Sequence, residues 1–343
     1  MGQITQVLRM LVLLALTAPA FIAAPTASRA GEQPFVRAIG PITIVVGDLD
    51  RSVAFYTGVL DFRRIGESEV TGTPYEQLEG IFGARIRSAR LALGDEQIEL
   101  QEYLVPKGRP FPDDSRSNDR WFQHIAIVTA DMDAAYARLR SNHVRYASSE
   151  PQRLPDWNRN AAGIRAFYFR DPDGHYLEIL QFPPGKGAAR WHAPGGRMFL
   201  GIDHTAIVVH DTEASLRFYR DALGLRVAGE SENYGSEQEH LNNVFGAHLR
   251  ITTMRPPAGP GIEFLQYLAP QDGRPASQDE RANDLVSWQT NVLVRDFPSA
   301  LASLRRGGGS LVSTAPVELP VRPGGKAVVV RDPDGHAIEL LAP

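Results

Sequence analysis

The chain of 343 residues contains no cysteine. That one absence excludes disulfides, thiolate metal ligands and a cysteine nucleophile, so any metal must be held by nitrogen and oxygen. Blocks of positive charge are also missing. With a formal net charge of −4 and no run of basic residues, the sequence offers no electrostatic footprint for nucleic acid or an anionic membrane. A small molecule is the expected partner. At 43% hydrophobic residues the chain can bury a large core, as two domains or as one domain built from two similar halves.

The amino terminus differs from the rest. Arg9 precedes the apolar stretch Met10 to Ile22, and Ser28-Arg29-Ala30 places small residues at both positions that a signal peptidase reads. Residues 1–30 read as a secretory signal peptide, the apolar stretch being short for a retained membrane anchor. The mature protein is expected to be secreted or periplasmic and to have no stable membrane anchor.

What the sequence does contain is a repeat. Arg-Asp-Pro-Asp-Gly-His occurs at Arg170 to His175 and at Arg331 to His336, each followed three residues later by a glutamate, Glu178 and Glu339. Ile44-Val45-Val46 matches Ile207-Val208-Val209, Phe55-Tyr56 matches Phe218-Tyr219, and Phe82-Gly83-Ala84 matches Phe245-Gly246-Ala247, all offset by 163 residues. The duplication therefore covers nearly all of the mature chain. We place one half at 36–182 and the other at 199–343, with the proline- and glycine-rich stretch 183–198 as linker. Extended, such a linker spans roughly 50 Å, so it does not dictate which parts of the halves pair.

Each half divides into two units that read strand, helix, then three strands, with bounds near 38–105, 120–182, 200–269 and 286–343. Asp48 or Asp50 can cap the first helix, which carries Val53, Tyr56 and Leu60, and Asp131 opens the second. Arg85 to Leu93 and Gln97 to Leu104 read as strands, as do His124 to Val128, Ile164 to Phe169 and Tyr176 to Phe182. The predicted fold class is α+β, four βαβββ modules forming two cupped mixed sheets with helices outside.

All four units end in a strand whose glutamate is flanked by aliphatics: Glu99, Glu178, Glu263 and Glu339. A lone carboxylate in such a run is costly unless its charge is compensated, and alternation turns each glutamate away from the aliphatic face. His124 and His204 precede nearly all-apolar residues, which predicts imidazoles near one end of a sheet. A strand histidine alone is more often structural than a ligand; two imidazoles with several carboxylates fit an oxygen-and-nitrogen metal site. His175 and His336 read as turn-flanking groups, and the segments Thr73 to Phe82 and Gly235 to Phe245 as possible lids carrying Tyr75 and next to Tyr234.

The four units, His-Thr-Ala-Ile-Val-Val at His204, His-Ile-Ala-Ile-Val at His124 and the two Asp-Pro-Asp-Gly-His…Glu segments resemble the vicinal oxygen chelate superfamily of glyoxalase I, bleomycin-resistance proteins and extradiol dioxygenases. The resemblance implies paired units around a divalent metal (Ni, Co, Mn, Fe or Zn), with ligands on the first and last strand of each unit. Carried over, the units offer Pro41 and Glu99, His124 and Glu178, His204 and Glu263, and Gln289 and Glu339. Pro41 cannot ligate through its side chain, and Gln289 is a weaker, neutral ligand.

Two pairings remain open. Pairing within halves leaves one set of Glu99, His124 and Glu178 and another of His204, Glu263, Gln289 and Glu339. Crosswise pairing gathers His124, Glu178, His204 and Glu263 into one complete metal site and leaves Pro41, Glu99, Gln289 and Glu339 to a vestigial or binding pocket. The crosswise site is preferred because it collects both histidines. The resemblance then implies a metal-dependent lyase or isomerase of glyoxalase type acting on a substrate with vicinal oxygens, Glu178 or Glu263 serving as catalytic base. The alternatives are an extradiol-type Fe(II) dioxygenase using His124, His204 and Glu178, and a non-catalytic small-molecule-binding protein.

Overall fold

The computed structural model describes residues 35–320 and 325–342; the expected signal segment 1–30 lies outside them. Among the described residues no helix is long and apolar enough to cross a membrane. The first unit runs β1 (Val36–Val45), α1 (Leu49–Val59), β2 (Arg63–Thr71), α2 (Thr73–Glu79), β3 (Arg85–Leu93) and β4 (Glu96–Val105). The second runs β5 (Gln123–Thr129), α3 (Met132–Ser141), β6 (Arg145–Tyr146), β7 (Gln152–Arg153), β8 (Arg165–Arg170) and β9 (Tyr176–Gln181). The third comprises β10 (Phe199–Val208), α4 (Thr212–Leu216) continuing into a π-helical turn over Arg217–Ala222, β11 (Arg226–Tyr234), α5 (Ser236–Asn242), β12 (His248–Arg255) and β13 (Gly261–Ala269). The fourth comprises β14 (Trp288–Val294), α6 (Phe297–Arg306), β15 (Ser310–Leu311), β16 (Val317–Glu318), β17 (Lys326–Arg331) and β18 (Ala337–Leu341).

Each first strand hands over to its helix through an aspartate N-cap: Asp48, Asp131, Asp211 and Asp296 accept from backbone N–H groups of the first turn, satisfying donors that the helix itself cannot. Asp48, not Asp50, caps α1. The units are of two kinds. The first and third carry a long second strand and an extra short helix where the second and fourth have only two-residue strands. The expected lids are thus α2 and α5; Tyr75 is buried, while exposed Tyr234 stacks on Trp157 with ring centroids 4.3 Å apart.

The units pair crosswise. One nine-stranded sheet joins the first and fourth units in the order β15-β17-β18-β14-β1-β4-β3-β2, with β16 also on β17, and the other, also of nine strands, joins the third and second in the order β11-β12-β13-β10-β5-β9-β8-β6, with β7 also on β8. Their centres are the antiparallel pairs β1–β14 and β5–β10. We call them sheet A and sheet B. Pairing within halves is overturned: each half gives one unit to each sheet. The aliphatic faces and helices form one large core in which Ile42, Ile127, Phe169, Phe264 and Val292 are fully buried.

The repeated hexapeptide turns out to be a clasp between the sheets. Asp171 Oδ1 accepts from the N–H groups of Asp173, Gly174 and His175, each at 2.9 Å, and its Oδ2 pairs with His175 Nδ1 at 2.8 Å and accepts from Tyr56 Oη at 3.2 Å. Asp332 does the same with Asp334, Gly335, His336 and Tyr219. Gly174 and Gly335 sit at φ of 103° and 105°, a region that favours glycine. Asp173 then accepts from Gly47 N and Ser52 Oγ at the start of α1, and Asp334 from His210 N before α4. His175 and His336 are buried structural groups, as their turn positions suggest.

Candidate metal centre

Sheet register decides which residues share the concave face of sheet B. Across the central pair His124 lies opposite Ala206 and His204 opposite Ala126, while Ala126 neighbours Glu178 and Ala206 neighbours Glu263 in the flanking parallel pairs. Side chains alternate along a strand, so both histidines and both glutamates project to one side around two alanines. Glu178 Oε2 lies 3.1 Å from His124 Nε2 and 3.8 Å from His204 Nε2, and Glu263 Oε1 lies 3.6 Å from His204 Nε2. Among the described residues, His124, Glu178 and His204 form the one group of His, Asp and Glu whose ligand atoms all fall within 4.8 Å of one another. Glu263 stands just outside it, its Oε2 accepting from Thr253 Oγ1 at 2.8 Å.

His204 does not open its strand. It is the sixth residue of β10, well inside the strand, whereas His124 is the second residue of β5, near the strand's start as expected. Between Ile202 and His204 the register shifts by one residue, which makes Asp203 the extra residue of a β-bulge. The kink brings neighbouring side chains together, and Asp203 Oδ2 lies 3.0 Å from His204 Nδ1. Arg255 donates to the Asp203 carbonyl at 2.7 Å and to its Oδ2 at 2.6 Å, and Trp191 Nε1 donates to Oδ1 at 3.1 Å. Burial would raise the Asp203 carboxyl, but His204 and Arg255 hold it far below the usual carboxylate range. Nδ1–H of His204 is thereby committed to Asp203, and Nε2 is aimed at Glu178 and Glu263 with no hydrogen-bond partner. This is the orientation that a metal-ligating histidine requires.

The donor set fits a divalent ion. His204 Nε2, which faces both glutamates, is orphaned, and buried polar atoms are rarely left without a partner. The carboxylates also call for positive charge. Burial pulls the His204 imidazole down, yet Glu263, Asp203 and Glu178 outweigh it and raise its pKa to about 9, so in the ion's absence a proton supplies the charge. Asp203, Arg255, Trp191 and Thr253 escaped the sequence reading. Only the bulge reveals Asp203, and Trp191 belongs to the linker, whose Lys186, Gly187 and Ala188 also line the cavity over the site. That cavity holds about 640 Å³, with Tyr168, Leu180 and Ile251 on its walls, a size that suits a small organic ligand.

Sheet A lacks this centre. By register Gln289 and Asn291 stand where sheet B has His124 and Ala126, and Thr43 stands for Ala206. Its own bulge carries Gly40 and Pro41 where sheet B has Asp203 and His204. Glu99 is paired with Arg90 at 2.8 Å, and Gln289 Nε2 donates to Glu79 Oε2 at 2.7 Å. Burial pushes the Glu79 carboxyl up to about 7, although Gln289 works against it. A raised folded-state pKa contributes stability that is complete below the unfolded value and is lost as pH rises through 7. Between pH 4 and pH 8 the protein should therefore lose about 3 kcal/mol that Glu79→Gln does not, measured by urea unfolding.

Residues 38–179 and 201–340 each match the model of the Glyoxalase/Bleomycin resistance protein/Dioxygenase superfamily. The chain belongs to this superfamily. Among its relatives is a 2-epi-5-epi-valiolone epimerase from Actinomyces sp, 31% identical over 163 residues, which are 44% of this chain and 83% of that protein. A lactoylglutathione lyase from Arabidopsis thaliana is 26% identical over 187 residues, 54% of each chain. An iron-dependent extradiol dioxygenase from Rhodococcus jostii is 42% identical over 67 residues, 17% of this chain and 21% of that one. The fold is shared with glyoxalase I from Zea mays at a TM-score of 0.59 and 18% identity, over 89% of this chain and 92% of that one. A putative dioxygenase from Bacillus subtilis aligns at 0.53 and 16% identity, over 90% and 86%.

Proposed function

We propose that this superfamily member is an exported, divalent-metal-dependent lyase or isomerase acting on a small substrate with two adjacent oxygens. The observation that carries the reading is the convergence of His124, Glu178, His204 and Glu263 on one face, with unpartnered His204 Nε2 3.6 Å from Glu263 and 3.8 Å from Glu178. These four residues would hold the ion, which when bound supplies Lewis-acid charge to the substrate oxygens. Asp203 and Arg255 keep His204 in place. Glu263, the more exposed carboxylate at 18% against 7% for Glu178, is the better placed to take a proton from the substrate carbon and return it. Relatives named as an epimerase and as lactoylglutathione lyases support proton transfer as the chemistry. Export rests on Arg9, Met10 to Ile22 and Ser28-Arg29-Ala30.

A second reading, an Fe(II) extradiol-type dioxygenase, is favoured by the position of Glu263 outside the tight group of two histidines and one carboxylate. The two are separated by loading the metal-stripped protein with each candidate ion. The first reading expects metal-dependent deuterium uptake by α-hydroxyketones such as dihydroxyacetone in D₂O, reduced about 10²–10⁴-fold in Glu263→Gln. Oxygen consumption with catechols and Fe²⁺, without such exchange, establishes the second. Neither activity in a metal-loaded protein points to a binding role alone. Asp203→Asn should weaken metal binding about 10- to 100-fold against a chelating dye while leaving the ligands in place.

A further inference from the structure

The cavity of sheet B is lined by the carboxylates Glu178, Asp203, Glu230 and Glu263 and by the cations Lys186, Arg190, Arg226 and Arg255. Most of these charges are already matched. Arg255 donates to Asp203 Oδ2 at 2.6 Å, Arg190 pairs with Glu96 at 2.7 Å and Glu230 with Arg250 at 2.9 Å, while Glu178 and Glu263 face the imidazoles. Two cations are left over. Lys186 Nζ donates only to the carbonyl oxygens of Arg159 and Asn160, and Arg226 makes no ion pair or hydrogen bond among the described residues. Strand register sharpens the demand at Arg226. It stands on β11 directly opposite Arg255 on β12, and Thr253, two residues before Arg255, donates to Glu263, so alternation turns both guanidiniums to the concave face beside the candidate centre. Like charges directly opposite one another destabilise a sheet, and Asp203 offsets Arg255 alone. At the equivalent position of sheet A, Arg63 stands opposite Ala92. The facing arginines therefore belong to sheet B and not to the repeated fold.

We propose that Arg226 receives a terminal oxyanion of the substrate, a carboxylate or phosphate, while the adjacent oxygens at the substrate's other end reach the ion; for that end this rests on the metal-dependent reading above. The substrate class is thus an anionic α-hydroxyketone or a related compound with vicinal oxygens. A guanidinium presents a planar fork of N–H donors that fits either oxyanion bidentately. Arg255 is committed to Asp203, so the donors of Arg226 are the ones left to a ligand. Lys186, on the linker, adds positive potential to the same cavity. A neutral substrate would leave Arg226 facing Arg255 without a counter-charge, which makes the pair a selector for anions.

Calorimetry on the purified protein, metal-free and metal-loaded, compares dihydroxyacetone with dihydroxyacetone phosphate and 5-hydroxylevulinate, ketols that carry a phosphate and a carboxylate. At least one anion should bind about tenfold or more tighter than the neutral ketol, with or without metal, as expected for a charge-assisted hydrogen bond, and added salt should erode the preference. The tighter of the two identifies the oxyanion. Arg226→Gln should abolish the preference while metal content, read by mass spectrometry, stays as in the parent. Arg63→Gln removes the same charge from sheet A and should change nothing. Circular dichroism confirms that both variants are folded. Equal affinity for all three ligands overturns the proposal, as does absence of binding by either anion. So does a preference that survives Arg226→Gln. An anion preference lost in Arg226→Gln, without deuterium exchange in any of the ketols, would uphold the anion site and refute the lyase or isomerase chemistry. Metal-dependent exchange with no anion preference would do the reverse.

Discussion

His204→Ala should abolish divalent-metal uptake, from the one ion per chain that the proposed centre predicts to none. The change removes the unpartnered Nε2 between Glu178 and Glu263 and leaves Asp203 with Arg255 and Trp191 but no imidazole to orient. Loss of an outer-shell partner costs about 10- to 100-fold in affinity, and loss of the ligand itself should exceed that. His124→Ala should empty the same site, since both imidazoles stand against Glu178 Oε2. Gln289→Ala should leave the stoichiometry unchanged because Gln289 lies in the other sheet, bonded to Glu79. Metal analysis by mass spectrometry reads all three. Thermal unfolding gives a second readout: an ion present at a thousandfold excess over its Kd stabilises the native state by about 4 kcal/mol, and this metal-dependent rise in Tm should vanish in both histidine variants. Retention of a full equivalent of metal in His204→Ala would refute the assigned centre.

Asp171→Ala should destabilise the protein by about 4 kcal/mol without changing metal affinity, a cost typical of stripping the partner from a buried charged network. The carboxylate accepts three backbone N–H groups, pairs with His175 and accepts from Tyr56. Burial works against its ionisation, yet His175 and the backbone donors keep it below its ordinary pKa. Burial likewise pulls His175 down, and Asp171 more than restores it. Removing Asp171 leaves an imidazole, a phenol and three N–H groups facing one another in a dry interior. Asp332→Ala should cost a similar amount, because its network with His336 and Tyr219 repeats the first. Urea unfolding with and without metal measures both. A loss below about 1 kcal/mol would mean that the turn tolerates a water in place of the carboxylate.

The two expectations explain why the most conspicuous motif in the sequence is not the chemical one. Arg-Asp-Pro-Asp-Gly-His persists in both halves because the turn holds the start of a helix from the other sheet, a task that both halves share. The glutamate three residues on is repeated for position on its strand, but only Glu178 finds two imidazoles beside it. Several elements were illegible for plain physical reasons. β2 (Arg63–Thr71) is exposed along almost its whole length and carries charge rather than alternation, so no periodic apolar signal marks it. β10 begins at Phe199, and pairing with β5, not propensity, sets that end. The bulge at Asp203 leaves no local trace, since its neighbours are ordinary strand residues.

The sequence by itself determined the duplication, the four units, the exclusion of thiolate ligands and the strand faces of Glu99, Glu178, Glu263 and Glu339. Repeats and alternation are local properties, written in the order of residues. Tertiary structure alone decided that the second and third units share a sheet, that Asp203 and linker residue Trp191 support His204, and that Gln289 belongs elsewhere. A linker long enough to permit either pairing cannot choose between them. The choice lies in contacts between strands far apart in the chain, His204 opposite Ala126 and Thr43 opposite Gln289, which no local pattern encodes.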